Sequence, residues 1–309
     1  MSSASEQKPP TLGSLRRRRS ADLRGQAFLG LLLLAVGLAL AMMLAVLFSV
    51  AVDGFEVLSD RLWTFLSNPS SSDPALAGVA QGIRGSLSIA AIVMVTAFPV
   101  GIGSAVYLEE YAEDSKLTRL IEITVRNLAG VPSIVYGLLG LAVFVQALRG
   151  ITGGSSVISG GLTLAVLVLP IVIITSAEAI RAVPSALRDG AYGLGATQWE
   201  VIRTQVLPAA LPGILTGAVL SIARALGEAA PLLVVGAAAF YTTGFQGFID
   251  QLQGAFTALP MNVANFAKLP ADEWAGHAAA ASVVVLVVVF AVNLVAIIAR
   301  ARITRRLGR

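Results

Sequence analysis

The chain has 309 residues, of which 56% are hydrophobic and only 13% are charged, and its mean hydropathy is +0.81. A soluble domain is about half apolar and about a quarter charged, so this composition excludes a soluble globular protein and indicates a membrane protein. The absence of cysteine excludes disulfides and thiolate metal ligands, and the formal net charge is +4.

Six apolar segments are predicted to cross a membrane. Five of them contain no charged residue and reach about the 20 residues that a transmembrane helix needs; they cover residues 26–52, 85–108, 127–148, 150–177 and 278–299. The sixth, from about residue 207 to 240, is equally apolar except for Arg224 and Glu228. The predicted fold class is therefore an all-α polytopic membrane protein with six transmembrane helices.

Most lysines and arginines fall on one side of this arrangement. They precede the first span, follow the last, and lie between spans two and three and between spans four and five. Positive charge in such segments is typical of the cytoplasmic side, so both termini are predicted to be cytoplasmic. The arginine run at 16–19 is then a topology signal rather than a nucleic-acid site. The uncharged stretch at 26–52 exceeds the roughly 7–15 residues of a signal-peptide core, which favours an uncleaved anchor.

The loops between the spans differ in composition. Residues 53–80 are predicted to form an external loop, and 109–126 a charged cytoplasmic loop. The long segment 241–277 mixes Trp, Tyr and Phe with few charges, which is typical of the membrane–water interface. It therefore predicts an interfacial helix around 248–257.

Glycine and proline mark positions inside the apolar segments. The Gly213-x-x-x-Gly217 pattern predicts close approach of two helices. Proline removes a backbone donor and is predicted to kink the spans at Pro99, Pro132, Pro170, Pro212 and Pro231.

The polar segment at 184–208 has the local signals of a short helix-turn-helix. Pro184 suits the first turn of a helix, and Gly193 and Gly195 would end that helix because glycine tolerates left-handed backbone. Thr197 and Glu200 have the spacing of a capping box that starts a second helix.

In the second of these helices, Trp199, Ile202 and Val206 are spaced to share one face. The two helices would lie along the membrane surface. From these signals alone, an amphipathic connector that docks nothing remains an alternative to a binding site for a partner protein.

Arg224 and Glu228 are four residues apart and would share a helix face. A charged side chain at the centre of a membrane span costs about 2.5–3.5 kcal/mol, so both must face the bundle interior, pair with each other or line water. Arg before Glu is the weaker order for a helical ion pair, which favours a further partner for Arg224. An oxyanion fits, because guanidinium donates paired hydrogen bonds to phosphate-like groups; a permanent internal ion pair is the alternative.

Some chemistry is missing from the sequence. The only lysines are Lys8, Lys116 and Lys268, and none follows a glycine, so the chain lacks the phosphate-binding loop of common ATPases. With a single histidine, His277, and no cysteine, a transition-metal site or a Cys/His nucleophile is not expected. His277 is predicted to be an interfacial residue just before span six.

The polar loop resembles the cytoplasmic loop by which permease subunits of bacterial ABC importers dock onto their ATPase. The family pattern begins Glu-Ala-Ala, continues with a Gly and an Ile, and ends Leu-Pro. Here Asp replaces the Glu, Gly190 replaces the first Ala, and Gln205 replaces the Ile. The resemblance implies that the loop at about 184–208 docks the ATPase through Asp189, Gly190, Ala191, Gly193, Gly195, Leu207 and Pro208.

A second block, at residues 223–233, resembles the phosphate importer permeases. Its sequence Ala-Arg-Ala-Leu-Gly-Glu-Ala-Ala-Pro-Leu-Leu is similar to their Arg-Ala-x-Gly-Glu-Thr-Ala-Pro-Leu-Leu block, with Ala229 in place of Thr. Residues 211–214 and 230–233 point to the PstA type of permease rather than the PstC type. The likeness runs from about residue 80 to the C-terminus.

The resemblance implies a type I ABC importer permease that translocates inorganic phosphate across a bacterial cytoplasmic membrane. Its expected partners are two copies of an ATPase subunit, a sister permease of the PstC type and an extracytoplasmic phosphate-binding protein. The subunit itself would be non-catalytic and need no cofactor. Arg224 and Glu228 would lie on the substrate pathway, with Arg224 attracting the anion and Glu228 holding Arg224 or gating.

On this interpretation the chain has a disordered cytoplasmic tail (1–24), a first transmembrane helix with an external loop (25–80), a permease core (81–300) and a C-terminal cytoplasmic tail (301–309). Three alternatives stay open: a permease for another oxyanion such as sulfate, a stand-alone secondary carrier or channel, and a non-transporting sensor or scaffold. The docking motif argues against the carrier, and the intramembrane charges argue against the scaffold.

Overall fold

The computed structural model of the protein describes residues 23–237, 248–270 and 273–307. Most of the predicted N-terminal tail, the start of the predicted interfacial loop and the last two residues of the C-terminal tail lie outside these ranges. The described residues form helices and connecting turns, with no strand among them. The chain divides into two compact units, Met1–Val50 and Ala51–Arg309.

Five helices in the described ranges are long and apolar enough to cross a membrane. We label them α1 (Leu23–Ser67), α2 (Ala80–Val106), α6 (Val157–Arg181), α9 (Leu207–Gly227) and α13 (Glu273–Leu307). The shorter helices are α3 (Lys116–Ala129), α4 (Ser133–Gly140), α5 (Arg149–Thr152), α7 (Ser185–Gly193), α8 (Gln198–Val201), α10 (Ala230–Val235), α11 (Phe248–Gln253) and α12 (Leu259–Phe266).

The third predicted span is not one straight helix. Residues 127–148 begin in the last turn of α3 and continue through α4 into a π-helical segment, Leu141–Ala147, and the two parts are bent by 102°. Pro132 lies at the bend in an extended conformation (φ −56°, ψ 135°). Because proline cannot continue the preceding helix and restricts the residue before it, the chain turns here. Six crossings are present only if this bent pair counts as one.

Two further predicted spans have different limits in the structure. The segment 150–177 becomes a long helix only at Val157, because Gly153 and Gly154 adopt left-handed backbone (φ +82° and +89°). The segment 207–240 is interrupted at Glu228, which is extended (φ −82°, ψ 119°). The predicted interfacial helix around 248–257 is the shorter α11.

The predicted proline positions fall into two groups. Pro132 and Pro231 lie at helix starts, where a missing N–H costs nothing. The other three remain inside helices: Pro99 in α2, Pro170 in α6 and Pro212 in α9.

Glycines allow the long helices of the second unit to pack closely. A Cβ added to Gly101 of α2 would lie 2.6 Å from Val172 of α6, and one on Gly213 of α9 would lie 2.7 Å from Ala179. A Cβ on Gly217 would collide with Thr175. The predicted close packing at Gly213 and Gly217 is therefore confirmed, and α6 lies between α2 and α9.

His277 lies inside α13 rather than before it. Its side chain is 5% exposed and packs against Phe65, Phe266 and Trp274. Both ring nitrogens lie within hydrogen-bond distance of carbonyl oxygens, of Glu273 at 2.8 Å and of Pro74 at 3.1 Å. The second contact joins the ring to the segment between α1 and α2.

Candidate docking loop and charged pair

The segment predicted to be a helix-turn-helix has that structure. Pro184 directly precedes α7 instead of lying in its first turn, Gly193 is the last residue of α7, and Gly195 has φ +85°. At the start of α8, the Glu200 carboxylate accepts from the Thr197 backbone N–H (2.8 Å), and the Thr197 hydroxyl accepts from the Glu200 N–H (3.4 Å). The capping box is therefore confirmed.

A π-helical turn, Ile202–Val206, joins α8 to α9. Pro208 follows in the first turn of α9. Because a proline ring clashes with the turn before it in a regular α-helix, the wider π turn makes room for the ring.

The inner face of the loop is apolar. Val201, Ile202 and Val206 are fully buried, and Val201 and Val206 pack in one cluster with Ile180 and Ala105. The predicted place of Trp199 on this face is wrong, because its side chain is 55% exposed. Val201 occupies the inner face instead, and Trp199 lies about 200° away from it around the helix.

The outer face of the loop is an exposed apolar surface. The side chain of Leu194 is 91% exposed, and those of Leu187, Tyr192 and Trp199 are also exposed. We call these four residues the outer surface of the docking loop. Exposed large apolar side chains in one short loop are available to a partner protein.

The predicted docking residues divide between the two faces. Asp189, Gly190, Gly193 and Gly195 are exposed, and a Cβ added to any of these three glycines would meet nothing within 4 Å. Ala191 and Leu207 instead pack against the inner cluster, and Pro208 is half-buried. The exposed residues of the motif are thus open to a partner, whereas Ala191 and Leu207 attach the loop to its own chain.

Two acidic residues at the end of α2 hold the docking loop. A π-helical turn, Tyr107–Tyr111, places Glu109 against Arg181 (2.6 and 3.1 Å) and Glu110 against Arg188 (2.7 and 3.2 Å). The sequence analysis did not identify these pairs, because their partners are more than 70 residues apart along the chain.

Arg224 and Glu228 are in contact, which is one of the arrangements that the sequence left open. The Arg224 Nε lies 3.3 Å from a carboxylate oxygen of Glu228. They do not share one continuous helix, however, because α9 ends at Gly227 and Glu228 follows it in extended backbone. Arg224 therefore lies in the last turn of α9, where the helix dipole favours a cation. The Arg224 side chain is 42% exposed and that of Glu228 is 19% exposed, so Arg224 remains open to a further partner.

Metal chemistry has no evident site here. Across residues 23–237, 248–270 and 273–307, no three His, Asp or Glu side chains come together as metal ligands.

Sequence comparison places the chain among known permeases. It is 32% identical to the phosphate transport system permease protein PstA of Yersinia pestis, over 93% of this chain and 94% of that protein. It is 34% identical to the phosphate transport system permease protein PstA 1 of Mycobacterium tuberculosis, over 82% of this chain and 80% of that protein.

Structural comparison gives the same fold. The structure is similar to a permease chain in the crystal structure of a bacterial alginate ABC transporter, with a TM-score of 0.63 and 15% sequence identity, over 91% of this chain and 96% of that one. The fold is therefore that of a type I ABC importer permease. Residues 97–309 match the binding-protein-dependent transport system inner membrane component, and the chain belongs to that family.

Proposed function

We propose that this chain is a permease subunit of an ATP-driven importer and translocates inorganic phosphate across the bacterial cytoplasmic membrane. The proposal rests on the structure of the docking loop. Its inner face packs against its own chain, and its outer face exposes apolar side chains. The phosphate permeases to which the chain is similar over most of its length support the choice of substrate.

The proposed partners supply the functions that this sequence does not contain. Its sequence has no phosphate-binding loop, so ATP hydrolysis falls to a separate subunit, of which two copies would bind. A sister permease of the PstC type would complete the pore, and an extracytoplasmic phosphate-binding protein would deliver the anion. The outer surface of the docking loop, with the open glycines beside it, would fit a cleft of the ATPase.

Arg224 and Glu228 are proposed to lie on the substrate pathway. A half-exposed guanidinium at the end of a membrane helix can donate paired hydrogen bonds to a tetrahedral oxyanion. Its ion pair with Glu228 holds the guanidinium in position when no anion is bound. Phosphate would then replace the Glu228 carboxylate as the negatively charged partner of Arg224.

The orientation is proposed from charge. Lysines and arginines are concentrated at the two ends of the chain and in the segments 109–126 and 181–203, which places these parts in the cytoplasm. Both termini and the docking loop are then cytoplasmic, and the first helix is an uncleaved anchor.

Docking is tested by filling the open space beside Gly190. A Cβ added at Gly190 meets nothing within 4 Å, so we expect Gly190→Phe to fold but to lose co-purification with the ATPase. Gly150→Phe is the matched control, because Gly150 is equally open and lies outside the loop; this variant should still bring down the ATPase. Binding that survives in both variants would contradict the proposed docking surface.

A further inference from the structure

Two adjacent carboxylates follow the C-terminal end of α2. A helix C-terminus carries partial negative charge and disfavours anionic side chains, yet Glu109 and Glu110 are adjacent there, in a π-helical turn closed by the Ala112 N–H to the Tyr107 carbonyl (2.8 Å). π turns of this kind are frequent at functional sites. The carboxylates are stabilised from elsewhere, by two arginines.

Arg188 is bonded to two helix ends at once. Its guanidinium donates to the Glu110 carboxylate and also to the carbonyls of Val183 (2.7 Å) and Ile180 (3.1 Å). Those carbonyls belong to the C-terminal end of α6, where four groups lack helical partners. Arg188, which is part of α7, therefore ties the docking loop to α6 and to α2 together.

Glu110 also contacts the other arm of the docking loop. Its backbone carbonyl accepts a hydrogen bond from the side-chain amide of Gln198 in α8. The two arms on either side of the Gly195 turn are thus joined to one residue at the end of α2. The Glu110 side chain is only 6% exposed and that of Arg188 is 21% exposed, so water screens this pair little.

The second pair lies at the edge of the first. Arg181, the last residue of α6, donates to both carboxylate oxygens of Glu109. Its side chain is half exposed, and its guanidinium bonds in the structure are to Glu109. The Glu109 side chain is 12% exposed, so a variant of either residue needs the compensating change at the other.

We propose that Glu109, Glu110, Arg181 and Arg188 act as positioning residues that make the docking loop and the ends of α2 and α6 move as one body. The proposal rests on the function proposed above. A displacement of the loop by the ATPase reaches α2 directly through these pairs, and does not depend on the connection along the chain through α9. Breaking them would leave ATPase binding in place and reduce the transport obtained from each ATP.

The test uses the complete complex in proteoliposomes, with phosphate uptake and ATP hydrolysis measured together. We expect Glu110→Ala to bind the ATPase but to lower the phosphate moved per ATP by about fivefold or more, the lower end of coupling between sites. Asp114→Ala is the matched control, because it breaks the fully exposed Asp114–Arg119 pair in the same cytoplasmic segment; its ratio should equal that of the native complex.

Charge reversal at the Glu109–Arg181 pair gives an independent readout. Glu109→Arg and Arg181→Glu should each lower the ratio, and the double variant should restore it, which loss of folding would not do. If the Glu110→Ala complex fails to assemble, the Glu109 and Arg181 variants test the proposal by themselves. Unchanged ratios in Glu110→Ala and in both single reversals, or no recovery in the double variant, would overturn the proposal. If the native complex neither binds the ATPase nor moves phosphate, the proposed function fails instead.

Discussion

Arg224 and Glu228 form a charged pair within an otherwise apolar segment of the chain. Burying either charge alone in hydrocarbon costs about 2.5–3.5 kcal/mol, and the structure reduces that cost by placing Arg224 in the last turn of α9 and Glu228 beyond it. The Arg224 Nε lies 3.3 Å from a Glu228 carboxylate oxygen, and the Arg224 side chain is still partly exposed. The side chain that remains accessible is the cation, which suits an anionic substrate.

The first prediction concerns Arg224. We expect Arg224→Gln to lower phosphate uptake about tenfold or more, because charge-assisted hydrogen bonds contribute about 1.5–3 kcal/mol, and to leave ATPase binding unchanged. Uptake by the reconstituted complex measures the effect. Arg149→Gln is the control, because it removes an arginine of the same charge from the short α5. If Arg224→Gln and Glu228→Gln complexes both transport phosphate normally, the pair does not belong to the pathway.

At the scale of elements, the docking loop is held by local and distant interactions of different kinds. Thr197 and Glu200 start α8 by a capping box, and Gly195 supplies the left-handed turn before it. These depend on residues within one short segment. The ion pairs with Glu109 and Glu110 depend on the packing of α2 against α6 and so on the whole bundle.

The capping box gives the second prediction. We expect Thr197→Ala to weaken α8 by about 1 kcal/mol, the usual cost of losing an N-cap side chain, and to raise amide exchange across residues 197–201. Hydrogen–deuterium exchange measures this directly. Thr204→Ala serves as the control in the same loop, because the Thr204 hydroxyl caps no helix start: it donates to the Glu200 carbonyl (2.6 Å) and accepts from the Gln205 side-chain amide (3.4 Å). Equal exchange in the two variants would show that the cap does not stabilise the loop.

How far the sequence predicts this structure depends on the range of the interaction. The Thr197–Glu200 cap and the Gly195 turn follow from neighbouring residues, and the fold class follows from apolar segments long enough to span a membrane. The end of the helix before Glu228 was not predicted, because the apolar composition of residues 207–240 does not determine the backbone conformation within them. The Glu110–Arg188 pair was missed because its members are 78 residues apart along the chain, and no local sequence pattern predicts such a contact.

At the scale of the whole molecule, the account requires one orientation in the membrane. The docking loop must face the ATPase in the cytoplasm, and the segment around residue 72 must lie outside, where the binding protein delivers its anion. The positive charges of the chain favour this orientation, and the absence of cysteine makes it directly measurable.

The third prediction is therefore a labelling pattern. Ser72 and Ser185 are both exposed, so a cysteine at either position is open to a maleimide reagent that does not cross membranes. We expect Ser72→Cys to react in intact cells and Ser185→Cys to react only after the membrane is permeabilised. Reaction of Ser185→Cys in intact cells would place the docking loop outside and would exclude an ATPase as its partner.

The central claim is that this chain moves phosphate only with energy from a separate ATPase, and reconstitution into proteoliposomes tests it most directly. Phosphate uptake is measured for the chain alone and for the complex with its sister permease, ATPase and binding protein, with sulfate as the competing anion. The account predicts uptake by the complete complex that requires ATP and that sulfate does not inhibit. Uptake by the chain alone without ATP, or a preference for sulfate, would contradict it.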